Sequence, residues 1–275
     1  MAASHVEIID IDTLNVQSVL QTQRHVEAPN WAPDGQSLIV NADGGLFKID
    51  LAAPRLEPID AGICTELNND HGPSPDGQWM AISDKVETGA SCIYVMPATG
   101  GTPRRITQNV PSWFHGWSPD GQLVVYPCVR DGQFGIATCT LEGEETLLIS
   151  GPCHYDGPDF TPDGQWIWFN SDRGGDMALW RMRADGTGAE QMTFGDRVDW
   201  FPHPSPDGQN LCYLSYPPNT QGHPFGCHVE LRLMPAQGGK PVMLRRIYGG
   251  QGAINVPSWS PDSRQFAYVR YNENQ

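Results

Sequence analysis

Short apolar or alternating runs recur along the chain, each introduced by the same kind of turn. The turns and the runs they open read WAPDGQSLIV, PSPDGQWMAI, WSPDGQLVVY, FTPDGQWIWF, PSPDGQNLCY and WSPDSRQFAY. Pro presets φ, Asp caps and Gly takes a positive φ, so each Pro-Asp-Gly is a tight turn. The run behind it, such as LVVYPC or WIWFN, is strand-like. A second strand follows, such as CIYVM or ALWRMR, then a Gly-rich turn such as PATGG or ADGTG, then a last strand such as PRRITQ or AEQMTF.

The repeat prolines are Pro33, Pro75, Pro119, Pro162, Pro206 and Pro261, spaced 42, 44, 43, 44 and 55 apart. Four short strands in about 43 residues predict one blade of a β-propeller, and six units predict six blades. After Pro261 only one strand, QFAYVRY, remains. At the other end HVEIIDID and NVQSVLQT resemble the third and fourth strands of a unit and precede the first turn. Both termini should therefore complete the sixth blade and close the ring, which removes free sheet edges. The expectation is an all-β, six-bladed propeller of four-stranded blades, with residues 1–275 as its single domain.

Composition agrees. Gly (30) and Pro (24) make about a fifth of the chain, while 39% hydrophobic residues supply a core. The net charge of −15 repels phosphate backbones and anionic membranes, so neither nucleic acid nor a membrane surface is an expected partner. No apolar run reaches membrane-spanning length, and the start MAASHVEIIDIDTLNV is not a secretory signal. A cytoplasmic location is expected, or a periplasmic one if a leader was trimmed. The seven Cys include no C-x-x-C pair, and several lie in apolar runs as small hydrophobes.

The repeats W-S-P-D-G-x-x-[IL]-x-[FY], with a D-G-G-like turn further on, resemble the TolB-type β-propellers. That resemblance covers the whole chain and implies the fold. It implies no single function, because such propellers include interaction scaffolds, peptidase gating domains and sugar-active enzymes.

In such a blade the first strand lines the channel, so all six repeat turns, five Pro-Asp-Gly and one Pro-Asp-Ser, fall on one face. The opposite face carries irregular entry segments: HVEAPNW, NNDHGPS, PSWFHGW, CHYDGPDF, VDWFPHPS and GGQGAINVPSW. Residues that vary where a scaffold repeats are available for function. Seven of the eight His fall on or near this side. His71, His115, His203 and His223 are the candidate ligands of a divalent ion, Mn, Zn, Fe or Ca. His154, Asp156 and Asp199 are candidate acid–base groups, and Arg130 and Arg173 could hold a substrate carboxylate. Asp70 and Asp172 share the face. Trp113, Tyr155, Trp200, Gln221, Gln251, Asn255 and Glu27 are candidate substrate contacts. The fifth unit carries about eleven extra residues, PPNTQGHPFGC, expected to arch over the mouth as a lid or wall.

A further resemblance is to oligogalacturonate lyases, propellers with similar turns and a divalent metal held by His and Gln in the channel. It implies a carbohydrate or sugar acid as substrate and a metal-dependent lyase as the activity. It does not carry over residue by residue, because those proteins have seven units. The second expectation is a non-catalytic module that binds a protein or peptide on the same face.

Overall fold

The computed structural model describes residues 3–273; the outermost ends of the expected 1–275 domain, residues 1–2 and 274–275, lie outside them. All regular structure among the described residues is β, arranged as six antiparallel sheets. Among the described residues no helix is long and apolar enough to cross a membrane.

Five sheets have four strands each, in simple sequence order from the channel outward. Blade four is representative: Tyr155–Phe160, Trp166–Ser171, Ala178–Arg183 and Glu190–Gln191. The apolar runs form the second strands and are buried almost throughout, as in Trp166–Ser171 and Asn210–Tyr216. Each therefore packs on both faces, against the neighbouring blades, which is why it reads as a continuous apolar run and not a clean alternation.

The sixth sheet joins the two ends of the chain. Ser4–Asp10 pairs antiparallel with Gln265–Tyr271, and Val16–Thr22 adds the outer edge. The closure through both N-terminal strands is as expected. Its innermost strand is reduced to one bridge, Trp259 to Phe266, so this blade has three full strands.

The repeated turns form a second ring. The Asp76 carboxylate accepts hydrogen bonds from the Ser74 hydroxyl and the Gln78 amide, and Gly77 sits at φ 71°. That conformation favours glycine. The same side packs on the preceding blade: a Cβ on Gly77 would lie 3.6 Å from Pro33, and one on Gly35 3.8 Å from Pro261. In the sixth turn Ser263 takes glycine's place at φ 63°, and its hydroxyl accepts the Asp207 amide at 2.9 Å. These aspartates belong to turns. The turn prolines Pro33, Pro75, Pro206 and Pro261, with Trp31, Trp117 and Trp259, line a cavity of about 370 Å³ at this end of the channel.

The innermost strands are irregular where the opposite mouth begins. Their pairing slips between Glu27 and Asn30, Leu67 and His71, Asp156 and Asp159, and Trp200 and His203. Ala28, Gly157 and Phe201 take positive φ within three of these slips. A bulge re-aims side chains and breaks the two-residue alternation. It lets Asp156 face the mouth while Asp159 lines the cavity at the turn face.

Candidate functional site

The mouth opposite the turns holds a pocket of about 420 Å³. Its charged wall comes from entry segments of four blades: Glu27, Asp70, His115, His154 and Asp156. Asn68, Asn69, Gln251 and Asn255 supply amides, and Trp113, Phe134, Tyr155 and Phe201 supply rings. His223 reaches in from the long fifth-blade loop, where its Nδ1 contacts the Gln251 side-chain oxygen.

Asp156 is the hub. Its carboxylate oxygens lie 3.4 Å from His115 Nε2, 3.6 Å from His154 Nε2 and 3.7 Å from His223 Nε2. Burial alone would raise its pKa, but the close approach of the His115 and His154 imidazoles and their charge hold it far below the ordinary range. His115 Nε2 also lies 3.8 Å from Asp70 Oδ1. Burial disfavours the His115 imidazolium, yet Asp156 and Asp70 outweigh it and raise its pKa. His154 is raised by the same balance of burial against Asp156. Burial lowers His223, with Asp156 opposing. Burial pushes Asp70 up to about 7, against the pull of His115 and with the push of Asp156. Two carboxyls on either side of one imidazole are thus driven apart, one ionised and one poised near neutrality, the pattern of acid–base sites.

Other expected residues are placed elsewhere. His71 occupies the same register as His115, but its ring turns sideways: Nδ1 bonds Asn30 Oδ1 at 2.6 Å and Nε2 lies 3.3 Å from Asn41 Oδ1. Burial lowers its pKa to about 3, so it is a neutral filler between blades. His203 sits one layer deeper, with Nε2 donating to the Ile254 carbonyl at 2.7 Å and Nδ1 3.2 Å from Asp159. Asp199 accepts from the Ser215 hydroxyl at 2.5 Å. Arg130 is tied to Glu145 and to the Pro111 carbonyl, and Arg173 stacks on Trp180. None of these five lines the mouth pocket. Trp200 and Gln221 line an adjoining cavity of about 570 Å³.

Asn68, Asn69 and Phe134 are contacts that sequence reasoning did not single out. The Asn pair lies in NNDHGPS, directly before Asp70, so the entry segment was a usable signal. Phe134 lies at the start of the strand Gln133–Thr140, just after the turn that follows Arg130, and carried none.

The donor types around Asp156 suit a divalent ion. Two donors on one tetrahedral ion, each about 2.1 Å from it, stand roughly 3.4 Å apart, close to the His–Asp156 separations. His154 Nε2 and His115 Nδ1 are buried without hydrogen-bond partners. Among the described residues, however, no three His, Cys, Asp or Glu side chains stand in a ligating arrangement. His115 and His154 are gathered on Asp156 as ion pairs with His223 beside them, and an ion would have to part them.

Fold and site define a six-bladed propeller with a polar pocket at one mouth of its channel. The chain belongs to the TolB beta propeller domain family, whose profile matches residues 1–159 and 116–223. It is 49% identical over 270 residues to an uncharacterized protein of Agrobacterium fabrum, covering 98% of this chain and 92% of that one. It is 48% identical to a solved structure from Agrobacterium tumefaciens provisionally described as a TolB, with TM-score 0.97 and full coverage of both chains. An oligogalacturonate lyase in complex with manganese is 14% identical, with TM-score 0.61 over 98% of this chain and 81% of that one. That last likeness is one of fold alone.

Proposed function

We propose that the mouth pocket is the active site of a lyase acting on a sugar acid. The observation that carries this reading is the pair Asp70 and Asp156, flanking His115 with opposite proton affinities. Amides and aromatic rings around them match a hydroxyl-rich ligand with apolar faces.

Elimination from a uronate needs a base for the proton α to the carboxylate, positive charge for the electrons released, and an acid for the departing oxygen. Asp70, with its pKa near 7, takes the proton in its ionised form. The His115 imidazolium faces the charge that develops on the carboxylate. His154, also held charged, donates to the leaving oxygen. The C–H and C–O bonds break, a C=C bond forms, and Asp156 keeps both imidazoles charged. A divalent ion held by His115, His154, His223 and Asp156 would supply that positive charge as a Lewis acid in place of the imidazolium protons. With Arg130 and Arg173 engaged elsewhere, these imidazoles are also the groups that would hold the carboxylate.

The test is an absorbance assay for the unsaturated product with uronate-containing oligosaccharides, on the wild type and Asp70→Asn. Product with the wild type and a fall of about 10²–10⁴-fold in the variant supports the assignment; equal rates refute it. A second reading, a module binding a protein or peptide on the same face, rests on Phe134 and Phe225, which stand 37% and 45% exposed and line the two cavities.

A further inference from the structure

The cavity of about 570 Å³ beside the mouth pocket shares His154, His223 and Gln251 with it. Those three side chains are the partition between two compartments of one cleft. The long loop of the fifth blade walls the second compartment with Asn219, Thr220 and Gln221, so the extra residues build space for a ligand. Opposite them stand Asp172 and Asp176, from the loop between two strands of the fourth blade.

This wall has an unmet hydrogen-bonding demand. Trp200 lines it, is 1% exposed, and its indole N–H finds no acceptor. Buried donors are ordinarily paired, so an unpaired one in a cavity wall is a candidate partner for a ligand oxygen, reached by a small shift of the ring because the nitrogen itself is closed off. The charge is also one-sided. No Lys or Arg lines either compartment, while Asp172 and Asp176 line the second. A second carboxylate there would meet two like charges, with only His154 at the partition to offset them.

We propose that this compartment is a second sugar subsite for an uncharged unit. The substrate is then a uronate carrying a neutral sugar on its C4 oxygen. The inference rests on the sugar-acid reading above. The uronate lies in the mouth pocket and the neutral unit between the Trp200 N–H and the polar groups of Asp176 and Gln221. The linking oxygen falls at the partition, beside His154, where a proton donor to the leaving group is required.

Calorimetric titration of the full chain tests this. The probes are galacturonate and glucuronate, digalacturonate, and aldobiouronates with a neutral hexose on the uronate C4 oxygen. The expected result is an aldobiouronate binding at least tenfold tighter than its parent uronate, with digalacturonate gaining little. Gln221→Ala, at an exposed loop position, should remove most of that gain without changing the melting temperature, and Trp200→Phe should remove part of it. Equal binding of uronate and aldobiouronate overturns the subsite, as does a gain untouched by both substitutions or a gain confined to digalacturonate. Failure of every probe, uronates included, overturns the sugar-acid reading itself.

Discussion

His115 Nε2 faces Asp156 Oδ1 at 3.4 Å, with the histidine side chain 3% exposed and the carboxylate 16%. In so enclosed a place the pair is held together by charge, and each partner sets the other's proton affinity. Replacing Asp156 by Asn should therefore release both His115 and His154. Their imidazole pKa values, measured by NMR titration, should fall by about one unit or more, since burial is then opposed only by Asp70 and Asp159 at His115 and by Asp172 at His154. Unchanged titration would show that Asp156 is not the hub.

Asp70 gives a prediction with opposite signs for activity and stability. The folded chain keeps the Asp70 proton to about pH 7, whereas the unfolded chain releases it near 3.8. Between these values the folded state binds more protons, so stability falls as pH rises through the window and the full penalty is present above it. At about 1.4 kcal/mol per pKa unit, the penalty at pH 8 is on the order of 2–4 kcal/mol. Asp70→Asn should then melt higher than the wild type at pH 8, match it near pH 4, and lose the activity. A variant no more stable at pH 8 than at pH 4, relative to wild type, would refute the shift.

The fold was legible because the turn that closes each unit is a sequence motif. Gly77 packs on Pro33 because both belong to copies of one turn, and the apolar second strands are buried on both faces. The site was legible only in part. Entry segments could be sorted to one mouth, which located Glu27, His115, His154 and Asp156. The bulges could not be seen, and they decide where each side chain points. His71 and His115 stand equally far before their repeat prolines, yet one lies between Asn30 and Asn41 and the other between Asp70 and Asp156. Arg130 was read as free to bind substrate because its partner, Glu145, lies fifteen residues away on the outer strand.

The two kinds of histidine should separate in a metal experiment. After incubation with Mn, Zn or Fe and removal of excess, elemental analysis should find about one ion per chain. His115→Ala and His154→Ala should each lower that stoichiometry, His115→Ala with a loss of stability as well, because it strips buried Asp156 and Asp70 of their cation. His71→Ala and His203→Ala should leave it unchanged but lower the melting temperature, because each strips partners from buried groups: Asn30 in one case, Asp159 and the Ile254 carbonyl in the other. Absence of stoichiometric metal under all three conditions would remove the ion and leave the imidazolium reading.

One buried carboxylate reinforces the ring closure. Glu7, on the N-terminal strand, is 4% exposed. It accepts hydrogen bonds from Arg270 Nε at 2.8 Å and the Tyr268 hydroxyl at 2.6 Å, both on the C-terminal strand. Arg245 of the preceding blade lies 3.4 Å away. One side chain therefore joins the first strand, the last strand and the fifth blade. Removing it leaves two guanidinium groups without their anion and a buried hydroxyl without its acceptor. A fully buried pair broken this way costs about 3–5 kcal/mol. The arginines here are 29% and 33% exposed, so water recovers part of that, and about 2 kcal/mol is expected for Glu7→Ala. Glu7→Gln should lose less, because the amide oxygen still accepts from Tyr268. Chemical denaturation measures both, and hydrogen exchange should show the N-terminal strand opening first in Glu7→Ala. A loss below about 0.5 kcal/mol, or opening that begins in another blade, would show that the apolar contacts of Val6 and Ile8 close the ring without it.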